Sequence, residues 1–520
     1  MDLIGRKGLL QKIPLTVLRR CTQGIFLLLF LFLFLQTQSQ GGDRLGYPVK
    51  IFLDFDPLIF ISMLLSSHVI VTRLLLSLIL IALTALLGRV FCGWICPLGT
   101  LHDMAGSFTT RQGRVVRESR LRLKYYILIV LLASSLVGGQ LTGIMDPISL
   151  LIRSLALGIY PLFNYVIDAT VHALYQTEVE LFMGVSDFVH ERLKGGVMAF
   201  EQPLFRQGLL VSVIFVGIVA LNLVERRFWC RYLCPLGALL AVCSRYALLK
   251  RSISEGCTSC GTCDEICTAG KDWKREECLA CLKCRDICPE GAITFGFSGG
   301  TDGTVNLRRR SVLASIAAGI TSVPLLRIAP GSASGTFHPA LIRPPGSLPE
   351  EEFLTRCIRC GECMKVCLTN GLQPTLLEAG LEGMWTPLLV PRVGFCEYRC
   401  TLCGQVCPTG AIRRLFVEEK TATKIGMAVI DPGRCLAYAH ATPCIVCEEV
   451  CPTAPKAIWT ETVSVRDRSG GEVILKQPHV DPAACVGCGI CETMCPVAGK
   501  PAIYVISTGE TRSPENRLLL

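Results

Sequence analysis

The chain changes character near residue 245. Before it, apolar residues run in long unbroken blocks. After it, they come in short alternations between cysteine-rich turns. About 20 consecutive apolar residues span a bilayer, and four blocks qualify: 21–37, built on "GIFLLLFLFLFL", then 69–91, 125–145 and 208–224. The pattern predicts an α-helical membrane domain of about four transmembrane helices. A signal peptide is the rival reading of the first block, but "QTQSQGG" is a poor cleavage site, which favours an uncleaved anchor. The stretch "ISLLIRSLALGIYPLFNYVI", in an insertion from about 152 to 205, is apolar enough to lie at the interface, re-enter or span.

The blocks form a pseudo-twofold repeat. "DFDPLIF" (54–60) precedes the second block and "GIMDPISLL" (143–151) the fourth. "FCGWICPLGTLHD" (91–103) closes the first repeat, and "FWCRYLCPLGALLA" (228–241) closes the second. Lys and Arg collect before the first block (Arg6, Lys7, Lys12, Arg19, Arg20), between the second and third (Arg111, Arg114, Arg117, Arg120, Arg122, Lys124) and after the fourth (Arg226, Arg227, Arg231). The other side carries fewer: Arg44, Lys50, Arg153, Arg192 and Lys194. The positive-inside rule then puts the N-terminus and both C-x-x-x-C-P segments in the cytoplasm.

Composition strengthens this picture. Of 520 residues 51% are hydrophobic and 18% charged, against roughly 25% charged in a soluble domain, and mean hydropathy is +0.47. The net charge of +10 fits positive-inside anchoring. No basic stripe interleaved with aromatics points to nucleic acid.

The 30 cysteines decide the chemistry. They are grouped at short spacings, as in metal sites. Two runs, Cys257, Cys260, Cys263, Cys267 and Cys278, Cys281, Cys284, Cys288, match C-x2-C-x2-C-x3-C, where three close thiolates wrap one [4Fe-4S] cluster and the fourth ligates the other. The expected sets are Cys257, Cys260, Cys263 with Cys288, and Cys278, Cys281, Cys284 with Cys267. Zinc would prefer two separated C-x2-C knuckles. Four more runs follow: Cys357, Cys360, Cys363, Cys367; Cys396, Cys400, Cys403, Cys407; Cys435, Cys444, Cys447, Cys451; and Cys485, Cys488, Cys491, Cys495. The middle two have widened first gaps. How these four runs share ligands is not readable from spacing. Six clusters are expected, with iron held by these cysteines.

Cys21 and Cys243 read as lone apolar residues. Cys92, Cys96, Cys230 and Cys234 leave three readings open: a seventh Fe-S centre, redox-active or transient-metal thiols, or a helix stop in which the sulfur is incidental. Asp56 and Asp146 read as helix caps before Pro57 and Pro147, with acceptance of quinol protons as the sharper alternative. His102 gets a similarly bland reading. Neither haem, flavin nor NAD is expected, since C-x-x-C-H, facing His pairs and Gly-rich dinucleotide fingerprints are absent.

Between the ferredoxin modules stands "LRRRSVLASIAAGITSVPLLRIAPGSASG" (307–335). Arg309-Arg310 before a weakly apolar run resembles a twin-arginine export signal, which moves folded proteins. If it spans, the last module lies outside the cytoplasm. A basic linker with a short buried helix is the alternative.

The membrane half with paired C-x-x-x-C-P segments and a two-cluster tail resembles the NapH-type membrane ferredoxins. From about residue 308, "RCTLCGQVCPTGAI" and "GRCLAYAHATPCIVCEEVCP" resemble NapG/MauM-type four-cluster ferredoxins. The resemblance implies a quinol dehydrogenase module at the bacterial inner membrane, passing electrons to a periplasmic cytochrome or other acceptor. The alternatives are an electron-supplying maturation factor for a periplasmic metalloenzyme, and a redox-sensing scaffold. The expected domains are a polytopic membrane domain (1–245), a two-cluster α+β ferredoxin domain (246–300), the twin-arginine-like segment or fifth span (301–345), a four-cluster domain (346–510) and a tail (511–520).

Overall fold

The computed structural model describes residues 15–38, 43, 45–107, 118–176, 184, 187, 191–194, 197–199, 202–267, 275–297, 307–327, 338–466, 471–513, 515 and 516. The basic residues Arg6, Lys7, Lys12, Arg44, Arg111, Arg114 and Arg117 lie outside them. The chain forms two compact units, one of 1–34, 49–152 and 212–323, the other of 35–48, 153–211 and 324–520.

The first unit is mainly helical. Helix α1 (Leu15–Gln36) buries Phe30, Leu33 and Phe34, while Ile25, Leu28 and Phe32 are exposed. Helix α2 (Pro57–Ser67) starts at its cap Asp56, whose Oδ1 accepts from the amides of Leu58 (2.8 Å) and Ile59 (3.4 Å). Helix α3 (Ser77–Leu87) follows a 3-10 turn at Thr72–Leu76 and stops at Gly88, whose φ of +79° suits glycine. Then come α4 (Pro97–Ser107), α5 (Leu123–Leu136) and α6 (Pro147–Ser154), where Asp146 Oδ2 accepts from the Ser149 amide at 2.8 Å. Helix α7 (Gly208–Ala220) ends in a 3-10 turn, and α8 (Pro235–Ser244) follows. The antiparallel strands β1 (Leu249–Ile253) and β2 (Ile293–Phe297), paired Leu249 to Phe297, bracket the first two cysteine runs.

The expectation of four full-length spans is not met by helix length. Two helices are long and apolar enough to cross a membrane: Leu15–Gln36, and Pro147–Tyr175, which continues α6 through a π turn at Leu155–Ile159. The second lies in the stretch whose path the sequence left open. The other expected spans are helices of 10–17 residues: Thr72–Leu87, Leu123–Leu136 and Gly208–Leu223. Local backbone cuts them short. Gly138, with φ +81°, follows the end of α5, and 3-10 turns replace α-helix at one end of the other two.

Helix α9 (Arg309–Arg327), which opens on the twin arginines, is 19 residues long but is not among the two spanning-length helices. Instead α9 packs on α5 at Gly319, where a Cβ would stand 2.5 Å from the Val130 carbonyl oxygen.

The second unit carries the other four runs. Strands β3 (Leu372–Pro374) and β4 (Pro387–Leu389) lie between its first two runs. Strands β5 (Met427–Ile430) and β8 (Ile503–Ile506) bracket its last two. The hairpin of β6 (Ile458–Arg466) and β7 (Glu472–Val480) stands between those. Phe353, Met364, Leu402, Val406, Ala428 and Ile458 form its core.

A buried ion cluster ties this unit's beginning to its end. Glu350 takes Arg343 Nη2 at 2.5 Å and Arg512 Nη1 at 2.7 Å, and Arg512 Nε also reaches Glu510 at 2.6 Å. Burial pushes the Glu350 carboxyl up, but Arg343 and Arg512 outweigh it and hold it at about 2. The folded pKa lies below the unfolded one. The resulting stability, about 3 kcal/mol, is therefore present above pH ~4.5 and is lost as pH falls towards 2. Glu350→Gln leaves two buried guanidinium groups short of a partner. Denaturant titration at pH 7 is expected to show a loss of about 3–5 kcal/mol and a flatter acid limb. A variant as stable as wild type would contradict this role.

Candidate iron-sulfur sites

The four runs with an unwidened first gap share one backbone device. The residues flanking their second cysteine both have positive φ: Ser259 and Gly261, Ala280 and Leu282, Arg359 and Gly361, Gly487 and Gly489. Left-handed residues among right-handed neighbours curl backbone N–H groups into a concave nest that favours an anionic centre, as in many Fe-S sites. Glycine is the default where φ reaches +86°, as at Gly361 and Gly489.

In the second unit the cysteines gather into four cavities of four. One, of ≈ 380 Å³, is lined by Cys357, Cys360, Cys363 and Cys407. Another, of ≈ 440 Å³, is lined by Cys396, Cys400, Cys403 and Cys367. A third, of ≈ 400 Å³, is lined by Cys435, Cys444, Cys447 and Cys495. The fourth, of ≈ 330 Å³, is lined by Cys485, Cys488, Cys491 and Cys451. The pairing that spacing left unread is thus exchange of the fourth cysteine between adjacent runs. The widened gaps loop out without breaking this rule. The Cys396 amide donates to the Cys488 carbonyl at 2.8 Å, so the second and fourth cavities adjoin. The sites form a row in which the first and third are the ends.

In the first unit Cys284 is flanked by Cys281, Cys278 and Cys267, the set that spacing predicts. In the companion run, Arg251 Nη2 donates to Cys263 Sγ at 3.5 Å. Among the described residues, no three His, Cys, Asp or Glu side chains are grouped to hold a single metal ion. Burial drives Cys360, Cys363, Cys403 and Cys491 well above the usual thiol range. Free, they would be neutral; as thiolates they need iron's positive charge, because metal binding releases the thiol protons.

The C-x-x-x-C-P segments are built alike. Each first cysteine lies in a π turn, Phe91–Ile95 or Trp229–Leu233, a rare geometry often found at functional sites. Each second cysteine leads into the next helix, with Pro97 or Pro235 as its first residue. Cys96 Sγ accepts from the Gly99 amide at 3.4 Å, and Cys234 Sγ from the Gly237 amide at 3.2 Å. The motif is therefore a helix start, which corrects the helix-stop reading, and the sulfur is used. The repeats bring the four thiols together. Burial, then Cys92 and Cys230, raises Cys96; burial, then Cys230 and Cys92, raises Cys234. Cys230 is pushed up to about 11, chiefly by burial. Four thiolates would coexist here only around a cationic centre.

Two arginines, unnoticed as site residues in the sequence, complete the site. Arg89 and Arg227 each stand three residues before their repeat's first cysteine, both at most 2% exposed. Each crosses to the other repeat. Arg227 donates to the carbonyls of Cys92 (3.0 Å) and Gly99 (3.2 Å) and binds Asp103 at 2.7 Å. Arg89 Nη2 would stand 3.1 Å from a Cβ on Gly237. Its Nη1 reaches Glu277 at 3.1 Å, and Glu277 also binds Lys124 and, at 2.9 Å, the Tyr125 hydroxyl. Burial pushes the Asp103 carboxyl up, and Arg227, Gln23 and Arg19 outweigh it, holding it well below the carboxylate range. Aligning the repeats on their cysteines would have exposed this shared arginine.

One difference between the repeats bears on the ferredoxin module. Gly93 of the first is Arg231 in the second. A Cβ on Gly93 would stand 2.4 Å from the Leu279 carbonyl oxygen, and Trp94 Nε1 donates to the Ala280 carbonyl at 3.0 Å. The first repeat thus lies directly on the Cys278–Cys281 loop. His102 is a buried core residue beside Asn222, lowered to about 4 by burial and then Arg227. Cys21 is exposed and Cys243 half-buried.

Comparisons with known proteins agree with this chemistry. A family described as a 4Fe-4S binding domain matches residues 69–114 and 207–254, which contain the two C-x-x-x-C-P segments, and a second with the same description matches 478–498. The methylamine utilization ferredoxin-type protein MauN of Methylorubrum extorquens is 28% identical over 279 residues, covering 51% of this chain and 78% of MauN. The ferredoxin-type protein NapG of Escherichia coli is 36% identical over 99 residues, covering 19% of this chain and 42% of NapG. No solved structure matches. The methylamine utilization ferredoxin-type protein MauM of Methylorubrum extorquens is 36% identical over 170 residues, covering 32% of this chain and 74% of MauM. With MauM matched over most of its length and the cysteine runs gathered in fours, the chain belongs to the NapG/MauM-type family of multi-cluster ferredoxins.

Proposed function

We propose that this chain is a membrane-bound polyferredoxin that takes electrons from membrane quinol, at a domain built of two repeats, and passes them through [4Fe-4S] clusters to a redox partner outside the cytoplasm. The observation that carries the reading is the four-thiol site at the junction of the repeats, seated on the loop that holds Cys278 and Cys281. The match of both C-x-x-x-C-P segments to a 4Fe-4S binding family supports a seventh cluster there, held by Cys92, Cys96, Cys230 and Cys234. When bound, each cluster supplies a one-electron relay. The protein's part is to hold the thiolates in place, to set the local charge through Arg89 and Arg227, and to exclude water by burial.

Placement in a membrane is supported by large apolar side chains that the helices leave exposed: Leu28 67% on α1, Ile79 57% on α3, and Leu209 81% and Val213 61% on α7. Large apolar side chains left exposed along helices fit a membrane or partner contact. Short helices suit such a surface where the bilayer thins or a neighbour shields the ends. In this reading the twin arginines that open α9 direct the last module outward.

The purified full chain in lipid vesicles tests the proposal. A reduced quinone analogue is expected to bleach the Fe-S absorbance and raise cluster EPR signals. No reduction above the quinol-free control would overturn the quinol-fed reading. The relatives named for methylamine utilization favour a second reading, in which the electrons serve the assembly of a partner enzyme. A deletion strain separates the two: the partner is then made without its finished cofactor, whereas under the first reading it is complete but starved of electrons.

A further inference from the structure

We propose that Asp56 and Asp146 hold one proton between them and form a buried proton-accepting site where the two repeats meet. Each is the aspartate of its repeat's Asp-Pro pair, and each is 0% exposed. Each spends one oxygen on its helix: Asp56 Oδ1 on the amides of Leu58 and Ile59, Asp146 Oδ2 on the amide of Ser149. The remaining oxygens, Asp56 Oδ2 and Asp146 Oδ1, are fully buried and meet no donor among the described residues. The two carboxyl groups act directly on one another. Ionised carboxylates only accept, so a hydrogen bond between the two free oxygens forms only when one of them holds a proton. Two carboxylates sharing a site hold their protons jointly, as a pair.

Among the described residues, the groups that act most strongly on the pair are its own two carboxyls and nearby backbone and serine donors, and no cation is one of them. Lys50 and Arg73 act on Asp54. Lys124 of α5 binds Glu277. Arg153 of α6 donates to the Arg359 carbonyl at 3.1 Å and lies over the Trp385 ring. Ser62, Gln140, Thr142 and Ser149, all 0% exposed, are polar and uncharged.

The resting pair carries one proton and one negative charge, so it can take up a second proton and become neutral. Its existence is independent of the proposed function, but its use rests on that reading. A quinol yields quinone, two electrons and two protons. The electrons enter the iron-sulfur chain, one proton neutralises the pair and the other goes to solvent. The pair then returns its extra proton to solvent.

Infrared difference spectra of the full chain in nanodiscs, taken between high and low pH, test the site. A protonated-carboxyl C=O band is expected to grow as pH falls, and to shift in D2O and on 13C-aspartate labelling. Asp56→Asn and Asp146→Asn should each abolish it with iron content unchanged, since asparagine still caps. A labelled band that survives in both variants, or no such band in wild type, would overturn the proposal. Should either variant lose iron, the labelled wild-type band decides by its presence or absence. Absence of quinol oxidation alone leaves the band in place, so it counts against the proposed function and not against the site.

Discussion

Replacing Cys92 and Cys230 together by serine will remove about four iron atoms per chain, the content of one cubane, and leave the remaining clusters intact. The two residues come from different repeats, yet each acts on the same buried thiols, Cys96 and Cys234. A cubane needs a thiolate on each iron, so loss of two should leave no stable cluster. The rest of the site is braced independently. Arg227 bonds the Cys92 backbone carbonyl, not its sulfur, and holds Asp103 in a buried pair, and the helices after Cys96 and Cys234 keep their caps. Iron and acid-labile sulfide quantitation, with the EPR of the dithionite-reduced protein, provides the check. Unchanged iron per chain would mean that these four thiols carry no cluster, and would return them to redox-active or transient-metal roles.

Gly93→Ala should keep every cluster and slow electron entry into the first ferredoxin module. Carbon atoms pack at about 3.5–4.0 Å, while a Cβ here would stand 2.4 Å from the Leu279 carbonyl oxygen. The partner is backbone, so the loop must retreat by about 1 Å, and misplacement of that size in a reacting geometry costs up to about 10²-fold. Leu279 lies between Cys278 and Cys281, so the movement falls on the relay itself. Trp94 and Gln23, which bond the Ala280 and Gly93 carbonyls, limit the damage to this contact. Rapid mixing with a reduced quinone analogue should show wild-type iron content and reduction of the ferredoxin clusters at least about tenfold slower. An unchanged rate would show that electrons do not enter through this contact.

The parts of this molecule that depend on short-range spacing were legible in the sequence. The six cysteine runs and the caps at Asp56 and Asp146 follow from residues close in sequence, the exchange expected in the first module from two adjacent runs of one spacing, and the repeat from short motifs that match. The features that depend on tertiary contact were not. Sharing of Cys367, Cys407, Cys451 and Cys495 between adjacent runs is set by how the short helix inside each run carries its fourth cysteine away from the first three, and spacing alone allows other pairings. Hydrophobicity located the apolar helices but overstated their length, because it does not register Gly138 or the 3-10 turns that end them. The crossing of Arg89 and Arg227 was hidden for another reason. A basic residue beside a membrane block reads first as an anchor, and only the fold shows these two buried across the repeat junction. The facing carboxyls followed the same course: each was legible as a cap, and neither as half of a pair.

The central claim is that quinol electrons enter through the four-thiol site. Its most direct test is to add a reduced quinone analogue to the vesicle-embedded wild-type chain and to the Cys92→Ser, Cys230→Ser variant, with dithionite as the control reductant. The account predicts that dithionite reduces the ferredoxin clusters of both proteins and that quinol reduces only those of the wild type. Equal reduction of both proteins by quinol would contradict it.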